Sequence, residues 1–302
     1  MNPSRAWLCA LAILPAACAS LDPSPHGKVR VGAEDTLLDL ARTHELGYGE
    51  IVAANPDTDP WLPGVGTEVV LPTVHLPPSA GDESIVVNLA TQRLWFFDPG
   101  DEAVHSYPIG IGRPGWRTPL GTTRVKAKRE APTWHPPESA RREDPSLPAA
   151  VGPGPDNPLG THALYLGWPR YLIHGTNQPL GVGRRISRGC IRLYPEHIVD
   201  LYARAGVGMQ VRVVNEPVQL GWIGEELFME VHPPVSQQAE GRGPEPTLAL
   251  GPALEARIRK LAGDETPRLD WEVVKHALAA QRGVPVAITR PKPGPFESLF
   301  RS

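Results

Sequence analysis

The sequence predicts a mainly β domain with one principal helix, preceded by a small α/β module and followed by an α/β extension. Three features predict this. Short apolar runs separated by turn residues recur through 84–214, the pattern of a multistranded sheet. Only 196–204 in that stretch has helical periodicity, opened by Pro195 where a helix tolerates proline. Residues 28–73 instead read strand, helix, helix, strand, while 215–302 combines a hairpin with two helical segments.

Each element has a local cause. Val29-Arg30-Val31 is extended. Thr36 precedes Leu37 and is followed three residues on by Asp39, a capping box with Asp in place of the usual Glu. Leu37, Leu40 and Ala41 then share one helical face. A second helix over 48–55 is stopped by Pro56, and Val69-Val70-Leu71 is a strand ended by Pro72. In the central domain, 85–89 and 93–97 form a hairpin around Ala90-Thr91-Gln92. Further strands are expected at 107–112, 121–127, 163–166, 171–174 and 210–214. Ile198, Leu201, Tyr202 and Ala205 make the buried stripe of the helix. Beyond it, 222–231 reads as a hairpin, 232–245 as a Pro/Gly-rich linker, 254–261 and 271–281 as helices, and 284–289 as a strand.

An apolar content of 41 % in 302 residues supports a substantial core. A net charge of −3 gives no electrostatic case for nucleic acid or an anionic membrane surface. The chain has 36 prolines, well above the ordinary share of about 5 %. They cluster at 132–158, 233–246 and 285–295, which marks loops and linkers. Residues 1–20 carry one positive charge, an apolar run over 6–17 and then small residues, the pattern of an export signal. The run is shorter than the roughly 20 residues a membrane span needs. Two processing outcomes stay open: cleavage before Ser20, or lipid attachment at Cys18, against which Pro15 counts. Both place the protein outside the cytoplasm, in the periplasm or cell envelope. His162, His197 and His232 have no metal-ligand spacing and read as structural, so neither a metal nor a cofactor is expected.

The chemistry centres on Cys190. Of three cysteines, Cys9 and Cys18 fall in the export segment, which leaves Cys190 alone in the folded body. A thiol that cannot form an intramolecular disulfide is a liability in an oxidising compartment. His174 lies 16 residues upstream, and Gly181-Val182-Gly183 lets the chain between them return tightly. An imidazole within reach takes the thiol proton or stabilises the thiolate, the attacking species. The backbone N–H groups of Gly189 and Cys190 are candidates for an oxyanion hole. The bland alternative is a buried cysteine beside a core histidine.

The surroundings favour the nucleophile. His174-Gly175-Thr176 followed by Ser187-Arg188-Gly189-Cys190-Ile191-Arg192 resembles the signature of the L,D-transpeptidase catalytic domain, the YkuD family. Ile109-Gly110-Ile111-Gly112, Thr118-Pro119-Leu120-Gly121 and Gly167-Trp168-Pro169 extend the resemblance. It covers about 85–214 and implies a β-sandwich with one main helix for the domain at 84–214. Residues 28–73 resemble a LysM module through Asp35-Thr36-Leu37, Ile51, Asn55-Pro56, Pro63-Gly64 and the strand ending at Pro72. Such modules bind glycans containing N-acetylglucosamine; the alternative is a packing domain without ligand. The combination with a Pro-rich tail resembles the ErfK/YbiS group, with 215–302 an extension of unassigned role.

The resemblance implies a metal-free acyl transfer. Cys190 is the nucleophile and His174 the base and proton donor, with the Gly189 backbone in the oxyanion hole. The substrate is the peptidoglycan tetrapeptide stem, cut after its third residue with loss of D-alanine. The acceptor is a second stem, a lysine of an outer-membrane protein, a free D-amino acid or water. Arg188 stands where many relatives carry histidine and cannot act as a base. It either holds a carboxylate, lowers the thiol pKa or is a solvated surface charge. Arg192 binds the stem carboxylate or makes a structural ion pair. Ser187 orients His174 or the loop, while Gly175, Thr176 and Tyr171 border the pocket. Trp134, in the 132–158 insertion, is part of a lid or the anchor of its loop.

Overall fold

The computed structural model describes residues 26–79, 81–98, 100, 103–235 and 248–292. The expected export segment and Cys18 lie outside the described residues, as does most of the 232–245 linker.

The N-terminal unit comprises strand β1 (Gly27–Arg30), helices α1 (Leu37–Thr43) and α2 (Tyr48–Ala54), and strand β2 (Glu68–Leu71), with β1 and β2 antiparallel. The Thr36–Asp39 capping box opens α1. Leu37, Leu40, Ala41, Leu46, Ile51, Val69 and Leu71 close over one another as a separate small core.

The central domain follows with β3 (Ile85–Asn88), β4 (Arg93–Phe97), β5 (Val104–Pro108), β6 (Ile111–Gly112) and β7 (Gly121–Glu130). Helix α3 (Glu138–Glu143) interrupts the proline-rich insertion. Then come β8 (His162–Leu166), β9 (Leu172–His174), β10 (Arg185–Ser187), β11 (Ile191–Arg192), α4 (Pro195–Arg204) and β12 (Gln210–Val214). Eight strands form one sheet in the order β11-β9-β8-β7-β12-β3-β4-β5, and β10 pairs in parallel with β6. Gly110, just past the β5 edge, exchanges backbone hydrogen bonds of 2.8 and 2.9 Å with Arg192 at the opposite edge. The sheet therefore curls back on itself, which differs from the two stacked layers of a sandwich. Its inner face holds Ile85, Phe96, Ile111, Leu164, Ile173 and Ile191, capped by Ile198 and Leu201 of α4.

Three local features depart from expectation. The segment expected as one strand over 107–112 breaks at Ile109-Gly110, where the chain changes partners. Strands β10 and β11 are too short to show a period. Helix α3 has no apolar stripe, because only Ala140 is buried.

The C-terminal unit is a three-stranded sheet of β13 (Val218–Ile223), β14 (Glu226–Val231) and β15 (Val286–Ala287), covered by α5 (Pro252–Ala262) and α6 (Trp271–Ala280). Leu227, Met229, Val231, Ile258, Val274 and Leu278 form its core.

Buried charge joins the three units. The Arg93 guanidinium of β4 donates to Glu50 Oε1 of α2 at 2.8 Å, to the Glu45 carbonyl at 2.9 Å and to Ser106 Oγ at 3.1 Å. Gly183, at φ +76°, sits so close to Gly47 and Tyr48 that a Cβ there would lie 2.2 Å from the Tyr48 nitrogen. Glu230 of β14 is fully buried. Its Oε1 lies 2.6 Å from His232 Nε2 and 3.4 Å from His75 Nδ1, while Oε2 accepts from the Leu76 N–H at 2.6 Å. Burial pushes this carboxyl up, but the hydrogen bonds and charges of His232 and His75 outweigh it and hold the group at about 2. A carboxyl depressed in the fold stabilises it above its unfolded pKa of about 4.3, and that contribution is lost as pH falls toward 2.

Removing this carboxylate strands two buried imidazoles and an amide. Glu230→Ala is expected to cost about 3 kcal/mol or more in chemical denaturation, and Glu230→Gln less, since the amide oxygen still accepts from Leu76. Equal stability of Glu230→Ala and the parent chain contradicts the assignment.

Candidate active site

The site is built on the strand pair that closes the sheet. Strands β9 and β11 run parallel with Ile173 opposite Ile191 and His174 opposite Arg192. Alternation sends Ile173 and Ile191 into the core. The other face then carries Leu172 and His174 from β9, with Arg192 of β11 and Cys190 just before it. On β8, Tyr165 opposite Leu172 joins the same face. These five residues line one cavity of about 570 Å³. Its opposite wall comes from the proline-rich insertion, including Trp134, Pro136, Pro137, Pro158 and Leu159.

The insertion is held in three ways. Trp134 and Val151 exchange backbone hydrogen bonds of 2.8 Å each. The buried Asn157 side chain donates to the Pro132 carbonyl at 2.6 Å and accepts from the Leu159 N–H at 2.9 Å. Glu143, the last residue of α3, accepts from Arg113 at 2.7 Å and pairs with Arg188. Both guanidiniums also lie 6.0 Å from the Trp116 ring. Trp134 thus both anchors its loop and faces the cavity.

His174 is buried, with Nδ1 2.6 Å from the Gly175 carbonyl. A carbonyl only accepts, so Nδ1 carries the proton and Nε2 is left as the acceptor. Burial, helped by the Arg192 charge, pushes the imidazole down to about 3 against the carbonyls of Gly175 and Leu159. The ring is neutral at pH 7. Cys190 is the single cysteine among the described residues and is partly exposed. Its Sγ lies 3.5 Å from the Arg170 carbonyl. Burial pushes the thiol up, against the Leu172 backbone N–H and the Arg192 charge. The resting pair is therefore thiol and imidazole, with neither ionised.

The remaining sequence candidates divide. Arg192 lines the cavity with a mostly buried side chain, and its buried Nε has no hydrogen-bond partner among the described residues. Arg188 lines the cavity but spends its charge on Glu143. Ser187 Oγ donates to the Cys190 carbonyl at 2.6 Å and accepts from the Gly189 N–H at 3.1 Å. The Gly189 N–H, expected in an oxyanion hole, is thus hydrogen-bonded to Ser187 Oγ in this structure. Gly189 adopts φ +101°, and Tyr171 packs so closely that a Cβ would lie 2.8 Å from its ring. Tyr171, Gly175 and Thr176 stand outside the cavity lining. Gly175 acts on His174 through its carbonyl, and buried Thr176 accepts from the Gln178 N–H at 2.9 Å. Sequence reasoning missed Tyr165, Leu172, Arg170 and Glu143. The period-two alternation of β8 and β9 could have found the first two; Arg170 and Glu143 left no local signal.

A thiol raised by burial reacts slowly with alkylating agents near neutrality. The iodoacetamide rate at Cys190, mapped by mass spectrometry, is expected to climb with pH past the ordinary thiol value of about 8.5. A plateau at or below pH 7 contradicts this electrostatic picture.

A family model described as the L,D-transpeptidase catalytic domain (YkuD) matches residues 82–213. The chain is 36 % identical over 307 residues to the protein named probable L,D-transpeptidase ErfK/SrfK of Escherichia coli, covering 93 % of this chain and 96 % of that protein. It is 35 % identical over 266 residues to probable L,D-transpeptidase YcfS of the same species, covering 85 % and 81 %. Among solved structures it is similar to an L,D-transpeptidase from Mycobacterium smegmatis, with TM-score 0.34 and 20 % identity over 50 % of this chain and 64 % of that one. By its identity to these two relatives over most of its length, the chain belongs to the L,D-transpeptidase family.

Proposed function

We propose that this L,D-transpeptidase works through a Cys190 thioester on peptidoglycan tetrapeptide stems. The observation that carries the reading is the common face of β9 and β11, which aims a thiol and a neutral imidazole into one cavity. Cys190 Sγ attacks the carbonyl carbon of the third stem residue while His174 Nε2 takes the thiol proton. The tetrahedral intermediate collapses with cleavage of the C–N bond. His174 returns the proton to the leaving amine of D-alanine, and a thioester remains. An acceptor amine then attacks the thioester, gives its proton to His174 and releases the thiol. The Cys190 N–H, rather than that of Gly189, is the donor for the oxyanion. Arg192 lines the cavity and is the natural partner of a stem carboxylate.

The acceptor divides three outcomes on this machinery. A second stem gives a 3→3 cross-link, a lysine attaches an outer-membrane protein, and water gives an L,D-carboxypeptidase. Such a substrate places the protein in the cell envelope, consistent with export through residues 1–20 and with lipidation at Cys18 as the anchored variant.

A second reading concerns the N-terminal unit. Trp61, Leu62 and Val65 are 52 %, 82 % and 73 % exposed on one loop. An exposed tryptophan suits stacking on a sugar ring, which supports glycan binding by 28–73.

Product analysis with disaccharide-tetrapeptides tests the chemistry. Cys190→Ala is expected to abolish product, and His174→Ala to reduce it by a factor on the order of 10² or more, with folding retained. Full product from Cys190→Ala rejects the thioester. Trp61→Ala is expected to weaken pelleting with wall sacculi without changing turnover of soluble stems; unchanged pelleting rejects the glycan reading.

A further inference from the structure

A second, smaller cavity of about 230 Å³ lies beside the Cys190 loop and shares no lining residue with the catalytic cavity. Leu89, Ile111 and Leu120 give it an apolar wall, and Arg117 and Arg185 contribute to its rim. No carboxylate lines it, and neither arginine has an anionic partner among the described residues. Arg185 is half-buried. Its Nε donates to the Gly112 carbonyl at 3.3 Å and its other contact is the Val235 carbonyl, so two carbonyl dipoles hold the guanidinium without neutralising it. Burial and the neighbouring Arg117 charge both work against that guanidinium. Two like charges brought together beside an apolar wall are costly unless an anion completes them.

We propose that this cavity is a binding site for a small aliphatic carboxylate, with the carboxylate on Arg185 and Arg117 and the aliphatic group against Leu89, Ile111 and Leu120. The volume suits a group the size of one small amino acid, and a guanidinium fork matches carboxylate geometry. The site is wired to the nucleophile. Thr118, at the cavity wall, accepts from the Gly112 N–H at 3.2 Å and donates its hydroxyl to the Gly189 carbonyl at 2.9 Å. An occupant that shifts Thr118 therefore shifts the residue next to Cys190. The inference stands independently of the thioester reading, since it uses none of the catalytic groups.

The test is methyl NMR of the full chain, selectively labelled at Ile, Leu and Val, titrated with N-acetyl-D-alanine and, as the uncharged control, its methyl ester. The acid is expected to shift the methyls of Leu89, Ile111 and Leu120 in a saturable way, and the ester to leave them unmoved. Arg185→Gln should weaken the effect about tenfold or more, as expected for one lost charge-assisted hydrogen bond. Arg117→Gln, at an exposed position whose side chain makes no hydrogen bond among the described residues, should weaken it too and guards against misfolding of the Arg185 variant. Equal shifts with acid and ester, shifts confined to Leu159 and Leu172 of the catalytic cavity, or no effect of either substitution overturns the proposal.

Discussion

The closure of the sheet between Gly110 and Arg192 is the constraint on which the rest of the structure depends. Strand β11 is only two residues long and has little cohesion of its own. It is held on one side by β9 and on the other by the reciprocal bonds to Gly110. With the register fixed on both sides, the side-chain alternation is fixed too. Ile191 must enter the core, and Cys190 and Arg192 must face outward. A slip of one residue would bury the thiol under α4 and expose Ile191. Helix α4 reinforces the choice, because Ile198 fills the space beside Gly175, where a Cβ would lie 2.9 Å from its Cγ2.

The electrostatics follow from that burial. The Arg192 charge acts on both groups: it disfavours imidazolium at His174 and favours thiolate at Cys190. Desolvation acts on both and outweighs the charge at the thiol. The site therefore stores no ion pair, and in the proposed reaction the proton moves when the substrate arrives. Arg188 does a different job. Its pairing with Glu143 links the Cys190 loop to α3 and so to the insertion that forms the far wall of the cavity.

Local features were legible in the sequence wherever their cause was local. The Thr36–Asp39 box, Pro195 at the start of α4 and the hairpin of β3 and β4 each depend on a few neighbouring residues. His174 and Cys190 were legible as a spaced pair within a motif. Features created by long-range contact were not. Gly110 and Arg192 are distant in sequence, and β10 and β11 are too short for a period. Glu143 ends a helix with a polar surface and shows its role only when Arg113 and Arg188 arrive beside it. Glu230 lies within the segment 222–231 read as a hairpin, and nothing local marks it as the buried partner of His75 and His232. Nor does anything in Ser187-Arg188-Gly189 say that the serine hydroxyl turns back to accept from the Gly189 N–H.

The central claim is that the fold holds His174 as a neutral ring with its proton on Nδ1, which leaves Nε2 to accept the thiol proton. Nitrogen-15 NMR of imidazole-labelled protein between pH 5 and 8 tests this most directly. The account predicts a protonated Nδ1, an unprotonated Nε2 and no titration in that range, consistent with a pKa held at about 3. A His174 that titrates near 6.5, or that carries its proton on Nε2, would contradict it.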